Sequence, residues 1–290
     1  MLVDKSKVYL KNVRFYIIIK EVVRTMISIK NLEFKYRNKE IFNNLNLEFE
    51  DKKIISLIGP NGSGKSTLVK ILVGLYRYNG SITIDGTPLL KDNRKEIRKK
   101  IGIVFTNPDN QFVAETVMDD IAFTLENMNY KKEDIRKKIE EVTKYLGIYD
   151  ILEANPHDLN SNQKQLVSLA SALVHDPKVL ILDEALTMLD PFDKEKILKI
   201  LKELNDKGLT IINISHDIED TLISDKIYVL DSGKIVLEGT KEEVYKEEKK
   251  LHNLGFNLPF MVELSNRLMF YNLIDHTIYD MEEMVNTLWK

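Results

Sequence analysis

The sequence predicts an α/β fold in which short buried strands alternate with amphipathic helices, and three stretches carry that prediction. In the first, Ile54-Ile55-Ser56-Leu57-Ile58 is an apolar run of strand length that ends in a glycine-rich loop. A helical pattern with Leu68, Ile71 and Leu72 on one face follows it. In the second, Val179-Leu180-Ile181-Leu182 ends in Asp183-Glu184. In the third, Thr210-Ile211-Ile212-Asn213-Ile214 ends in Ser215-His216-Asp217. Each places polar side chains at the carboxyl end of a buried strand, where open α/β sheets bind their ligands.

The bulk numbers bound the answer. A chain of 290 residues suits one large α/β domain with an appendage, or two domains. A formal net charge of −3 argues against wholesale nucleic-acid binding. With no cysteine there are no disulfides and no cysteine-ligated metals, as befits a reducing compartment. No apolar run approaches the ~20 residues that span a bilayer, so work at a membrane would leave the spanning to other chains.

Residues 1–25 carry Lys5, Lys7, Lys11, Arg14, Lys20 and Arg24 against only Asp4 and Glu21. The apolar run Tyr16-Ile17-Ile18-Ile19 is too short for a secretory signal. Met26 directly precedes the first well-patterned strand. Residues 1–25 are therefore expected to be a basic extension, with translation starting at Met26; the alternative is a short basic arm near anionic lipid. Ile27-Ser28-Ile29-Lys30-Asn31-Leu32-Glu33-Phe34 alternates as an edge-type strand. Tyr36 closes it, either as an aromatic platform for adenine or as an ordinary strand-end residue. Residues 41–49 alternate again and lead into the glycine-rich loop.

That loop reads Gly59-Pro60-Asn61-Gly62-Ser63-Gly64-Lys65-Ser66-Thr67, with Gly59, Gly64, Lys65 and Ser66 at the spacing G-x-x-x-x-G-K-[ST]. Glycines let the backbone wrap a phosphate, successive N–H groups point at the anion, and the helix N-terminus adds partial positive charge. Lys65 is placed to reach the β- and γ-phosphates and the Ser66 hydroxyl to ligate Mg²⁺. A nucleoside triphosphate is the expected ligand.

Beyond the loop, Ser81-Ile82-Thr83-Ile84-Asp85-Gly86 reads as strand and turn, Arg94–Lys100 as a solvated helix, and Ile101-Gly102-Ile103-Val104-Phe105 as a buried strand. Ile135, Ile139, Val142 and Leu146 recur at helical spacing before Gly147, within an inserted helical region. Leu166, Leu169, Ala170 and Leu173 form a helical stripe that Asn160 or Ser161 caps. Asp183 suits Mg²⁺ through a water, and Glu184 suits orientation or deprotonation of an attacking water. Asp190 and Pro191 open a helix with Ile197, Ile200, Leu201 and Leu204 on its apolar face. His216 is placed to contact a γ-phosphate; the other histidines lack such context. Residues 227–230 and 235–237 form a hairpin about Ser232-Gly233, and residues 241–250 one charge-rich helix. Leu258-Pro259-Phe260 starts a helix with Val262, Leu264 and Leu268. A last amphipathic helix carries Ile278, Met281, Met284, Val285, Leu288 and Trp289. Two short helices cannot form a core alone, so they must pack on the main domain or on another subunit.

The loop, the Asp-Glu strand end and the Ser-His-Asp strand end, in that order, resemble an ATP-binding-cassette ATPase over about residues 27–248. The resemblance implies a P-loop NTPase fold: a parallel core sheet, an antiparallel β subdomain, an inserted helical subdomain and a short C-terminal helical appendage. The ATPase domain is then 26–248, with 249–290 a helical dimer contact. Tyr36 becomes the adenine-stacking aromatic, residues 59–67 the Walker A loop, and Asp183 and Glu184 the Walker B aspartate and catalytic glutamate. Thr187-Met188-Leu189-Asp190 becomes the D-loop, and His216 the switch histidine. Asn107-Pro108-Asp109-Asn110-Gln111-Phe112, Met188-Leu189-Asp190-Pro191 and Leu258-Pro259-Phe260 are similar to the ATPase subunits of energy-coupling factor transporters, closest to the first of their two types. Such subunits use ATP and Mg²⁺ and pair head to tail at the cytoplasmic face of the cell membrane. There they dock on a transmembrane coupling subunit and drive uptake of vitamins or metal ions captured by a separate membrane subunit. No nucleic acid is involved.

Two positions depart from the family. Its LSGGQ signature, whose amides bind the γ-phosphate held by the opposite subunit, reads Leu159-Asn160-Ser161-Asn162-Gln163 here. Side chains replace both glycines where backbone must approach nucleotide, although Asn160 can still donate from its amide. Thr106 stands where the family has a glutamine that senses metal and membrane partner, and it is too short for that task. Because each site pairs one chain's Walker A with the other's signature, the expectation is a heterodimer with one competent and one impaired site. The competing class is a nucleotide-binding regulatory subunit with little turnover, which the altered signature and Thr106 favour and the retained Glu184 and His216 oppose.

Overall fold

The structure, a computed structural model, describes residues 24–37 and 39–289. The basic extension expected over residues 1–25 lies, apart from Arg24 and Thr25, outside the described residues. In chain order the elements are β1 (Thr25–Tyr36), β2 (Lys39–Glu50), β3 (Ile54–Ile58), α1 (Lys65–Leu72), β4 (Asn79–Ile84), β5 (Thr87–Pro88), α2 (Arg94–Lys100) and β6 (Ile101–Phe105). Then come α3 (Val117–Asn127), α4 (Lys132–Tyr145), α5 (Ser161–Leu173), β7 (Val179–Asp183), α6 (Pro191–Asp206) and β8 (Thr210–Ser215). β9 (Lys226–Asp231), β10 (Lys234–Gly239), α7 (Lys241–Lys246), α8 (Glu248–Asn253), α9 (Phe260–Phe270) and α10 (Met281–Leu288) complete the fold.

Two sheets organise it. One has the order β10-β9-β3-β8-β7-β6, parallel from β9 to β6, with β10 antiparallel at its edge. Every residue of β3, β7 and β8 is buried, which is why these strands read as continuous apolar runs: both faces are covered. Because β3, β8 and β7 are consecutive neighbours, the loop after β3, His216 after β8 and Glu184 after β7 emerge side by side, one strand spacing apart. The second sheet, β2-β1-β4-β5, is antiparallel throughout. The two sheets meet through the Tyr228 hydroxyl, which donates to the Glu48 carbonyl at 2.6 Å, and through the edge-to-face pair Phe49–Tyr228. Helices α3 and α4 lie between β6 and β7 in the chain and bury Val117, Ile121, Leu125, Ile135 and Ile139 in a cluster with Val167 and Leu180.

Three expectations change. The strand over 27–34 is interior, paired with β2 on one side and β4 on the other. Its alternation reports one wet face, a property shared by any antiparallel strand with one covered face. Residues 241–250 form two helices, broken at Glu247, whose ψ of 38° leaves the helical region. A run of charges carries no periodicity that could reveal the break. The last helix is shorter than its apolar pattern. Ile278 lies ahead of it, exchanging two 3.0 Å hydrogen bonds with the Ser265 hydroxyl, and Trp289 lies just past it. The C-terminal segment packs on the main domain: Phe256, Leu258 and Val262 join Ile58, Ile218, Val229 and Val244 in one buried cluster.

Gly102 in β6 runs so close to α5 that a Cβ there would meet the Ala172 carbonyl at 2.3 Å. Gly102→Ala is expected to cost about 2 kcal/mol of unfolding free energy through overpacking, read as a lower urea midpoint. An unchanged midpoint would contradict this packing.

Candidate functional site

The loop after β3 is held open by contacts that only glycine permits. Gly59 passes the β9–β10 hairpin so closely that a Cβ would sit 2.1 Å from the Leu230 carbonyl oxygen. Gly62 and Gly64 have φ of 82° and 115°, and a Cβ on Gly64 would meet the Phe42 ring at 2.9 Å. The Gly233 N–H donates to the Ser63 carbonyl at 3.0 Å, pinning the loop to the hairpin turn. No side chain caps the N-terminus of α1, which leaves its first N–H groups without a side-chain partner. The Ser63 hydroxyl is buried and also unpartnered. An anion fits this cradle.

Lys65 is 4% exposed. Its ammonium donates to the Gly59 carbonyl at 2.7 Å and the Pro60 carbonyl at 3.2 Å, with Glu184 Oε1 at 3.9 Å. Burial pushes its pKa down, and the carboxylates of Glu184 and Asp183 partly oppose that. Asp183, the last residue of β7, is buried too. Desolvation, with the neighbouring Glu184 charge adding to it, holds its carboxyl above the usual range. The Ser66 hydroxyl donates to Asp183 Oδ1 at 3.4 Å. These two oxygens fit a divalent cation completed by phosphate oxygens and water. Among the described residues no group of three or more His, Cys, Asp or Glu forms a protein-only cage.

Glu184 adopts φ 53°, a left-handed conformation uncommon outside glycine, and its N–H donates to the Ile214 carbonyl at 2.8 Å. That bond turns the side chain toward β8, where His216 Nδ1 lies 3.5 Å from Glu184 Oε2. Thr106 leaves β6 and donates from its hydroxyl to the Asp183 carbonyl at 2.9 Å. It thus braces the backbone that carries both carboxylates, a use its short side chain did not suggest.

The loop, Lys65, Ser66, Asp183, Glu184 and His216 therefore converge. Tyr36 stands apart at the end of β1, 53% exposed, its ring tilted against Tyr76. Asn160 to Gln163 also stand apart. Asn160 Oδ1 accepts from the Gln163 N–H and Gln163 Oε1 from the Asn160 N–H, a capping box at α5 that leaves the Asn160 amide nitrogen unused by the cap. Asn162 Nδ2 donates to Asp193 Oδ1 at 2.8 Å. No hydrogen bond among the described residues joins these four to the glycine-rich loop. Sequence reasoning missed Lys194, which pairs from α6 with Asp217 and the buried Asp220 behind His216. Burial disfavours its charge, but the two aspartates hold its pKa above the ordinary value. The charged pattern of α6 hid that role.

The ABC transporter family profile matches residues 42–187. The energy-coupling factor transporter ATP-binding protein EcfA1 of Mycoplasmopsis synoviae (strain 53) is 41% identical over 270 residues, covering 91% of this chain and 100% of that protein. EcfA1 of Bacillus subtilis (strain 168) is 37% identical over 270 residues, covering 91% and 96%. A solved structure of cbiO1 from Clostridium perfringens, described as part of the ABC transporter complex cbiONQ, superposes with a TM-score of 0.73 at 31% identity. It covers 85% of this chain and 99% of that one.

Lys65→Met is expected to weaken ATP binding by at least about 50-fold, since a buried charge-assisted contact to phosphate is lost. Titration with a fluorescent ATP analogue reads it, and affinity within about threefold of wild type would contradict the assignment of the cradle.

Proposed function

Since this chain belongs to the ABC transporter family and is a transport ATPase of the EcfA/CbiO type, we propose that it energises uptake of a vitamin or metal ion by an energy-coupling factor transporter. In that reading it works peripherally at the cytoplasmic face of the membrane, as one half of a head-to-tail pair with a different ATPase subunit. The observation that carries the catalytic part is the convergence of Lys65, Asp183, Glu184 and His216 at three adjacent strand ends.

The backbone of Gly59, Pro60, Asn61, Gly62, Ser63, Gly64 and Thr67 cradles the phosphates, and Lys65 offsets charge on the β- and γ-phosphates. Ser66 and Asp183 would hold Mg²⁺, which would supply charge neutralisation to the phosphate oxygens. Glu184 orients the attacking water and accepts its proton. His216 holds the Glu184 carboxylate from one side and reaches toward the γ-phosphate from the other. Tyr36 offers adenine an exposed ring at the end of β1.

Two surfaces support the partners. A cleft of about 460 Å³ between β6, α3 and α5 is lined by Leu75, Val113, Phe123 and Met128, apolar side chains that suit a segment of the transmembrane coupling subunit. Phe270, Tyr271, Leu273, Val285 and Trp289 are exposed on or beside α9 and α10, which suits a contact with the second ATPase. Among the described residues no helix is long and apolar enough to cross a membrane. The substrate is captured by a separate membrane subunit.

Asn160, Ser161, Asn162 and Gln163 serve the partner's nucleotide. The Asn162–Asp193 bond fixes this segment to the start of α6 and favours slow turnover at that second site. A regulatory subunit with little turnover of its own is the competing reading, favoured by the same bond.

Turnover is expected to appear when the chain is mixed with a partner ATPase that has an intact signature. Glu184→Gln in this chain should then lower it by about 100-fold. Turnover unchanged by that substitution would move the catalytic centre to the partner and leave the regulatory reading. Ser161→Gly with Asn162→Gly is expected to raise turnover of this chain alone, read as phosphate release; no gain would remove the signature as the cause of impairment.

A further inference from the structure

His216 follows β8 on a loop tied down from two directions. From inside the domain, the Ser215 hydroxyl donates to Asp220 Oδ2 at 2.5 Å, and the Asp217 N–H donates back to Ser215 Oγ at 2.9 Å. Asn213 Nδ2 donates to the Asp220 carbonyl at 3.3 Å, and Lys194 bridges Asp217 and Asp220. Asp217 Oδ1 then accepts from the Glu219 N–H at 3.0 Å, capping the short 3-10 turn at residues 218–221. This inner frame fixes the backbone on both sides of His216.

The other direction is the C-terminal segment. Glu219 Oε1 accepts from the N–H of Phe260, the first residue of α9, at 2.7 Å. Pro259 precedes it and supplies no side-chain cap, so the Glu219 carboxylate serves as a cap borrowed from 41 residues away, with its charge at the positive end of the helix. Ile218 packs among Val244, Leu251, Phe256, Leu258 and Val262. The Thr221 hydroxyl meets Tyr245 Oη at 2.6 Å, and Lys241 donates to the Leu222 carbonyl at 2.8 Å. Glu219 also lines the same cleft as His216, together with Thr187 and Leu189. No other hydrogen bond among the described residues runs between residues 216–222 and α9 or α10.

We propose that Glu219 is a positioning residue that couples the C-terminal helices to His216, so that what docks on α9 and α10 acts on the γ-phosphate end of the site. A displacement of the α9 N-terminus pulls on Glu219. Its N–H pulls on Asp217, and Asp217 is the residue next to His216. The inner frame makes this a lever, because Asp220 and Lys194 hold one end of the turn while Glu219 holds the other. The inference rests on the reading of His216 as the residue facing the γ-phosphate.

The test is nitrogen-15 histidine NMR on the full chain, in which five histidines give few signals and His216→Gln assigns the one that matters. In the wild type, a slowly hydrolysed ATP analogue with Mg²⁺ is expected to shift the His216 resonances more than ADP does. Glu219→Ala should move the His216 signal of the nucleotide-free chain and remove at least about half of the analogue-induced shift, while His157, His175 and His252 stay in place. Glu219→Gln, which keeps the acceptor oxygen, should restore the wild-type response. Glu219→Asp, one methylene shorter, should reproduce the alanine effect and serves if the alanine variant does not fold. A His216 signal and response unchanged in both the alanine and aspartate variants would overturn the coupling. A wild-type His216 that ignores the γ-phosphate would overturn the reading of His216, and the coupling with it.

Discussion

The arrangement depends on one buried cation. Lys65 sits 4% exposed with two backbone carbonyls as its hydrogen-bond partners and Glu184 just beyond hydrogen-bonding distance. Burying an ammonium is costly unless opposite charge is near. The fold meets that cost by running β7 beside β8 and β8 beside β3, so that Asp183 and Glu184 reach the loop without an intervening element. Asp183 carries a related strain, since burial and, after it, the neighbouring Glu184 charge hold its carboxyl above the usual pKa. The site is a set of charges at separations that would suit phosphate oxygens and a divalent cation.

Precision in that set comes from backbone. Gly59 against Leu230, Gly64 against Phe42 and Gly233 against Ser63 lock the loop between the hairpin and β2. Glu184 keeps a left-handed backbone through its bond to Ile214, and Thr106 braces the preceding carbonyl. The residues at the head of α5 are built differently. Their side chains cap the helix and bind Asp193, where a glycine pair would leave bare backbone. The same chain thus gathers charged groups around its own loop and crowds the head of α5 with side chains. In the proposed pairing of two ATPase chains, that contrast would make the two sites unequal.

The strand ends were legible because their chemistry is local: an apolar run fixes the strand, and the next two or three residues fix what it presents. The Asn160 cap and the hairpin at Ser232-Gly233 were legible for the same reason. What escaped is long-range. Thr106 meets a carbonyl 77 residues away, Glu219 meets Phe260 across 41, and Lys194 pairs with Asp220 from within a helix whose charges look solvated. The alternation of β1 could not tell an interior strand from an edge one, and the break at Glu247 falls in a stretch without apolar spacing. Side chains that brace other elements leave no periodic trace in sequence.

The most direct measurement of the central claim is calorimetric titration of the isolated chain with ATP, ADP and AMP in the presence of Mg²⁺. If the cradle, Lys65 and the Ser66–Asp183 pair provide the affinity, it resides in the β- and γ-phosphates, and AMP should bind at least about 100-fold more weakly than ATP. Equal affinity for AMP and ATP would place recognition on the base and sugar and contradict the account.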